Sequence, residues 1–223
     1  MKKGFIVANI ILAIVCVVLD IFYIIEGGLL LKSITSLVFV LIGLTNLVYA
    51  IITKSSSLKY CIVMAIGLTF AMSGDIVLEI FFIGGAGLFA VGHIFYFVAY
   101  STMQKFRIKD FIPTLCIFIP CFILLLMPIF DFGGVVMHIV CIVYAAIISC
   151  MVGKSISNFV HDKTNLNLII LVGSVLFCFS DLALVFNLFS EVIPSLVGTI
   201  LCLGTYYPAE CILAYSILHS SKN

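Results

Sequence analysis

Two aspartates stand in apolar surroundings, Asp75 in FAMSGDIVLE and Asp181 in LFCFSDLALV. A carboxylate at the centre of a bilayer-spanning helix costs about 2.5–3.5 kcal/mol on insertion scales, so such residues face a cavity or a partner. Both follow small residues, Ser73-Gly74 and Ser180, that let a neighbouring helix or a substrate come near. Glu79 lies one helical turn beyond Asp75 and shares its face. Two carboxyls in one low-dielectric chamber suit acid–base chemistry, one holding a proton at neutral pH and the other staying charged. Glycosidase pairs work in this way around an oxocarbenium ion. The expectation is that Asp75 and Asp181 face each other across such a chamber.

The elements that must position them are read from composition. Of 223 residues, 64% are hydrophobic and 9% charged, and the mean hydropathy is +1.37. A soluble domain carries about 25% charged residues, so this chain is built for a bilayer. Eight apolar stretches approach the roughly 20 residues that cross a membrane as a helix. They are Gly4–Ile25, Leu29–Thr53, Leu58–Phe82, Gly84–Met103, Phe111–Phe130, Gly134–Gly153, Leu166–Phe189 and Ser195–His219. Short connections leave no room for an extramembrane domain, so residues 1–223 form a single transmembrane domain. Lys2, Lys3, Lys54, Lys59, Lys105, Arg107, Lys109, Lys154, Lys163 and Lys222 fall on one side of this eight-span arrangement, and only Lys32 does not. Basic loops stay cytoplasmic, which puts both termini inside a multi-pass protein of the cell membrane. The opening MKKGFIVANIILAIVCVVLD has the charge-then-apolar form of a signal peptide, but it lacks a small-x-small cleavage site and reads as a retained first helix. Nine cysteines, nearly all within spans and without CxxC pairing, read as small apolar packing residues rather than a disulfide or zinc framework.

SGDIVLEIFF aligns without gaps beside FSDLALVFNL, and the spans that follow also echo each other: GHIFY with His93 and Tyr96, TYYPAE with Tyr206, Tyr207 and Glu210. This suggests two units of four spans in parallel duplication. At about 1.5 Å per residue, Asp20, Lys32, Asp75, Glu79, His93 and Asp181 fall in or near the non-cytoplasmic half. Tyr96, Tyr206 and Tyr207 fall near mid-depth, and Glu210 slightly below it. Asp20 and Lys32 read equally well as interfacial residues reaching for headgroups. Tyr144 and Asn46 read as packing and hydrogen-bonding residues.

The ordered set Gly74-Asp75, Gly92-His93-Tyr96, Ser180-Asp181 and Thr205 to Glu210, in eight short-looped spans, resembles the lysoplasmalogenase-like YhhN family over essentially the whole chain. Lys32-Ser33 stands where that family tends to have Lys-Pro, and Glu210 where it tends to have Gln. The resemblance implies hydrolysis of a lysoplasmalogen's vinyl ether bond, releasing a fatty aldehyde and a glycerophospho-headgroup. Vinyl ethers resist base and cleave in acid, through protonation of the β-carbon and addition of water to the oxocarbenium ion. On this reading Asp75 and Asp181 are the acid–base pair, and His93 orients one of them or relays its proton. Tyr96 and Tyr206 position the ether oxygen or water, Tyr207, Glu79 and Glu210 line the substrate site, and Lys32 holds the phosphate. The partners are then a membrane lipid and water, with no cofactor, metal or nucleic acid. A zinc held by His93, Asp75 and Asp181 would rest on one intramembrane histidine. The rival from another class is a proton-coupled small transporter using the same carboxylates.

Overall fold

The computed structural model describes residues 2–220. Among these, eight helices have the length and apolar composition to cross a membrane, and there is no strand. They are α1 (Lys2–Glu26), α2 (Leu29–Ile52), α3 (Leu58–Leu78), α4 (Phe82–Met103), α5 (Phe111–Leu125), α6 (Val135–His161), α7 (Asn165–Phe189) and α8 (Ser195–Ser220). A 3-10 turn, Ile108–Asp110, leads into α5. The protein is an all-α, polytopic chain of multi-pass membrane architecture. The end of the bundle where α1, α3, α5 and α7 finish is called the outer end here. The basic residues cluster toward the opposite end, although Lys222 lies outside the described residues.

Three boundaries differ from the sequence expectation, each for a local reason. Helix α5 stops at Leu125 rather than Phe130, because Pro128 disfavours helical conformation in the residue before it. The α3–α4 turn falls at 79–81, earlier than expected, where the helices meet closely: a Cβ on Gly85 would lie 2.5 Å from the Leu78 backbone. Helix α6 runs past Gly153 to His161, since its polar residues there point inward. Lys154, expected in a loop, is 1% exposed, with its ammonium 2.7 Å from Asp110 Oδ2. Ser157 also donates to that carboxylate, and Asn158 donates to the Tyr100 carbonyl at 3.0 Å.

Helix α3 packs most extensively on α4, and α7 on α8. Gly67 makes the first approach possible, since a Cβ there would sit 2.5 Å from the Tyr96 ring, and Gly173 makes the second, where a Cβ would meet Leu213 at 2.7 Å. The same spacing in sequence separates Gly67 from Gly173, Asp75 from Asp181, and the first residue of α2 from that of α6. Other contacts correspond too: α1 lies on α2 and α5 on α6, α2 on α3 and α6 on α7, and across the halves α2 on α8 and α6 on α4. A parallel four-plus-four duplication would leave such correspondences. The halves differ in two places: α3 packs on α8 with no backbone contact between α7 and α4 to match it, and the first helices differ. Helix α1 also packs on α8, whereas α5 packs on α6 and the 3-10 turn but keeps its backbone clear of α4 and α7.

Candidate functional site

The two aspartates sit in separate polar clusters and, among the described residues, form no hydrogen bond or ion pair with one another. Asp75, 3% exposed, is held by α2. Ser36 Oγ lies 2.5 Å from its Oδ2, and the Tyr207 hydroxyl lies 3.4 Å from Ser36. Tyr207 can therefore give its proton to Ser36 while Ser36 gives its own to Asp75. The Lys32 ammonium stands 3.8 Å from Asp75 and 2.8 Å from Glu79, and Tyr23 donates to the same Glu79 oxygen at 2.8 Å. Burial works against the Glu79 carboxylate, but the hydrogen bond and charge of Lys32, with the Tyr23 hydroxyl, outweigh it and hold this carboxyl below its ordinary value.

These placements correct three expectations. Asp20 and Lys32 are not interfacial residues reaching for headgroups: they are 3% and 4% exposed. Lys32 does not offer a free cation to a phosphate, because two carboxylates already surround it. The directly facing Asp75–Asp181 pair is not formed, because each acid is satisfied by its own neighbours. Asn46 is structural as expected, exchanging amide hydrogen bonds with Asn9 at 2.8 Å and donating to the Ala214 carbonyl.

Asp181 belongs to a second cluster. Tyr144 of α6 donates to its Oδ2 at 2.7 Å, and His93 Nε2 of α4 lies 2.8 Å from the Tyr144 hydroxyl and 3.4 Å from the carboxylate. Proton bookkeeping makes this a reversible relay. With Asp181 ionised, Tyr144 gives its proton to the carboxylate, and His93 must then give Nε2–H to Tyr144. With Asp181 protonated, the same contacts can run the other way, and Nε2 becomes the acceptor. His93 Nδ1 is buried without a hydrogen-bond partner among the described residues.

Between the clusters stands a wall of rings. Tyr206 packs edge-on against Phe89, Phe177 and Phe39, and Phe177 packs edge-on against His93 with centroids 4.6 Å apart. The Tyr206 hydroxyl is close to Asp75 yet outside ordinary hydrogen-bond geometry, and among the described residues it has no other partner. Deeper in the bundle Tyr96 donates to Glu210 at 2.7 Å, and the second oxygen of this fully buried glutamate has no partner. Among the described residues, no three His, Cys, Asp or Glu side chains converge as a metal set requires.

Among the described residues, the Asp181 cluster borders a groove, whereas the Asp75 cluster reaches the surface through Glu79, whose side chain is 40% exposed. Asp181 and Tyr144 form the polar spot of an otherwise apolar groove between the outer halves of α4, α5, α6 and α7, with Phe89, Leu125, Ala145 and Val185 among its walls. Its volume is about 90 Å³, and about 810 Å³ when the open space around its mouth is included. The residues missed in sequence are Tyr144, read there as packing, and Ser36 and Tyr23, not singled out at all. The 106-residue spacing held a signal for two of them, since Ser36 and Tyr144 fall within two positions of that offset in α2 and α6.

Comparison with known proteins adds one finding. A model of the YhhN family matches residues 27–217, while no curated protein and no solved structure matches the chain.

Proposed function

We propose that this chain, which belongs to the YhhN family, is a membrane-embedded hydrolase that cleaves the vinyl ether bond of a lysoplasmalogen or related lysolipid, with Asp181 as its proton donor. The observation that carries this reading is a carboxyl with a two-residue relay on the wall of an apolar groove. A lipid lying there has its enol ether carbons against the one polar spot in the groove.

The chemistry then follows. Protonated Asp181 delivers its proton to the β-carbon of the vinyl ether, the alkene electrons forming the new C–H bond. The α-carbon and ether oxygen share the resulting positive charge. The carboxylate left behind faces that cation in a setting where nearby charges act strongly. Water adds to the α-carbon, and its proton returns to Asp181 directly or by way of Tyr144 and His93. The hemiacetal breaks its C–O bond to give the aldehyde and the glycerol hydroxyl. The net reaction consumes one water and returns Asp181 to its protonated form. Asp75 takes no direct part: its neighbours hold it, and it holds Lys32.

Mass spectrometry of a mixed lysolipid pool incubated with the purified protein tests this. Fatty aldehyde should form from the vinyl ether lipid alone, and Asp181→Asn should abolish it. Fatty acid released from an ester lipid would overturn the bond assignment. Solute uptake into proteoliposomes with no lipid cleaved would identify a carrier instead.

A further inference from the structure

We infer that the basic end of the bundle carries a binding site for one anionic phospholipid, whose phosphate is held by Arg107 where that side chain stacks on His161. The site lies at the opposite end from the groove, and it stands whichever bond the chain cleaves.

Two connectors meet there. Residues 104–110 join α4 to α5, and residues 162–164 follow His161, the last residue of α6. The Arg107 guanidinium and the His161 ring make a matched pair of contacts, Nη1 to Nδ1 and Nη2 to Nε2, both at 3.4 Å. These cannot both be hydrogen bonds. Every guanidinium nitrogen only donates, and a neutral imidazole has just one accepting nitrogen. The equal spacing is that of one flat group laid over another, which leaves the in-plane N–H bonds of the fork free for a ligand. Among the described residues no carboxylate pairs with Arg107. A free fork of this shape matches two oxygens of a phosphate.

The surrounding chain fixes the fork before any ligand arrives. The Arg107 backbone N–H donates to Asp110 Oδ2 at 2.9 Å, and Asp110 is fixed in turn by Lys154 and Ser157. Lys154 also donates to the Lys105 carbonyl at 3.3 Å. On the other side the Asn167 amide donates to the Asp162 carbonyl at 2.7 Å, holding the turn after His161. Such preorganisation lowers the ordering cost of binding.

The neighbours select a lipid rather than a free anion, and they select its charge. Phe106, Ile108, Phe111 and Ile112 are exposed beside the pair, Ile108 by 86%, a surface that suits hydrocarbon and not water. Lys105, Lys109 and Lys163 are exposed on the same connectors, where Asp162 is the only exposed acid. A headgroup with its own ammonium meets repulsion from these lysines, whereas a glycerol headgroup does not.

The test is native mass spectrometry of the purified, delipidated full-length protein, titrated with phosphatidylglycerol or phosphatidylcholine in a neutral detergent. Wild type should bind one phosphatidylglycerol about tenfold more tightly than phosphatidylcholine. Arg107→Gln should weaken that binding about tenfold, as a charged hydrogen-bonding group is lost, with the lipid-free melting temperature unchanged. Arg107→Lys should recover only part of the affinity, because a point charge lacks the fork. His161→Ala, which removes the stacking platform, should cost about threefold. Lys54→Gln with Lys59→Gln removes two exposed charges from the same end and should leave the affinity unchanged. Equal affinity for the two lipids would overturn the inference. So would an equal loss from the lysine pair and from Arg107→Gln, the mark of a diffuse field rather than a site. Displacement of phosphatidylglycerol by inorganic phosphate at equal concentration would overturn the choice of a lipid. None of these outcomes depends on turnover, so the hydrolase reading is tested separately.

Discussion

The Asp75 and Asp181 neighbourhoods are assembled from corresponding parts and differ in what surrounds the carboxyl. Each acid sits on the third helix of its half and touches a hydroxyl from the second helix, Ser36 or Tyr144. Each then meets the fourth helix of the other half, through Tyr207 or His93. What differs is a single cation and a single helix. Lys32 balances Asp75 and Glu79, and α1 packs on α2 and α8 on that side, so Asp75 and Lys32 are buried and only Glu79 of this clamp is exposed. Among the described residues no lysine or arginine pairs with Asp181, and the groove beside α5 lies open next to it. A shared frame thus holds one carboxyl beside a buried cation and the other beside a groove, and on the proposed reading only the second does chemistry.

The most severe test of that contrast is the same change made twice. Asp181→Asn should lower aldehyde release by about 10²–10⁴-fold, the range of a lost general acid, with thermal stability in detergent nearly unchanged. Asp75→Asn should do the reverse, costing about 1–3 kcal/mol of stability as a buried partner is lost and leaving turnover largely intact once folded. Equal loss of turnover in both variants, at equal stability, would mean that the two acids act together after all. A smaller effect should follow from Tyr144→Phe, which cuts the relay but leaves the acid. Here kcat should fall about ten- to a hundredfold with KM held and the pH–rate profile altered, whereas a purely structural tyrosine would move neither selectively. The smallest effect belongs to Glu79→Gln. Glu79 titrates below its ordinary value in the folded protein, so its contribution is present above the unfolded pKa, near 4.3, and is lost as pH falls through the lower folded one. The melting temperature of wild type should exceed that of the variant at pH 7, and the gap should close on acidification below about 4.3. A gap that widens there would contradict the Lys32–Glu79 account.

The sequence made the eight helices legible because a bilayer forces hydropathy and length into plain view. It made Asp75, Asp181 and His93 legible for the same reason, as polar groups in apolar runs. It could not say which aspartate has a lysine within reach, because that depends on how α2 is rotated against α3. Ser36 looked like an ordinary small residue until its hydroxyl met Asp75, and Tyr144 looked like packing until α6 turned it toward Asp181. The separation of the acids was equally hidden: Tyr206 read as a residue positioning the ether oxygen or water and Phe177 was not singled out, and only their edge-on stacking reveals a partition. Helix ends were blurred where polar residues face inward, as at Lys154, since composition alone assigns such residues to water.

The Lys154–Asp110 contact also bears on how the protein is made. Asp110 is 3% exposed, and the ammonium that neutralises it arrives 44 residues later in synthesis. A carboxylate left uncompensated at that depth favours the aqueous side, so α5 reaches its final depth only once most of α6 has left the ribosome. Nascent chains arrested before Lys154 should show residue 110 shallower than chains arrested after it, as depth-dependent crosslinking to lipid would read. The helix that leaves the groove open is thus seated last among the first five, as one arm of a hairpin fastened at its base.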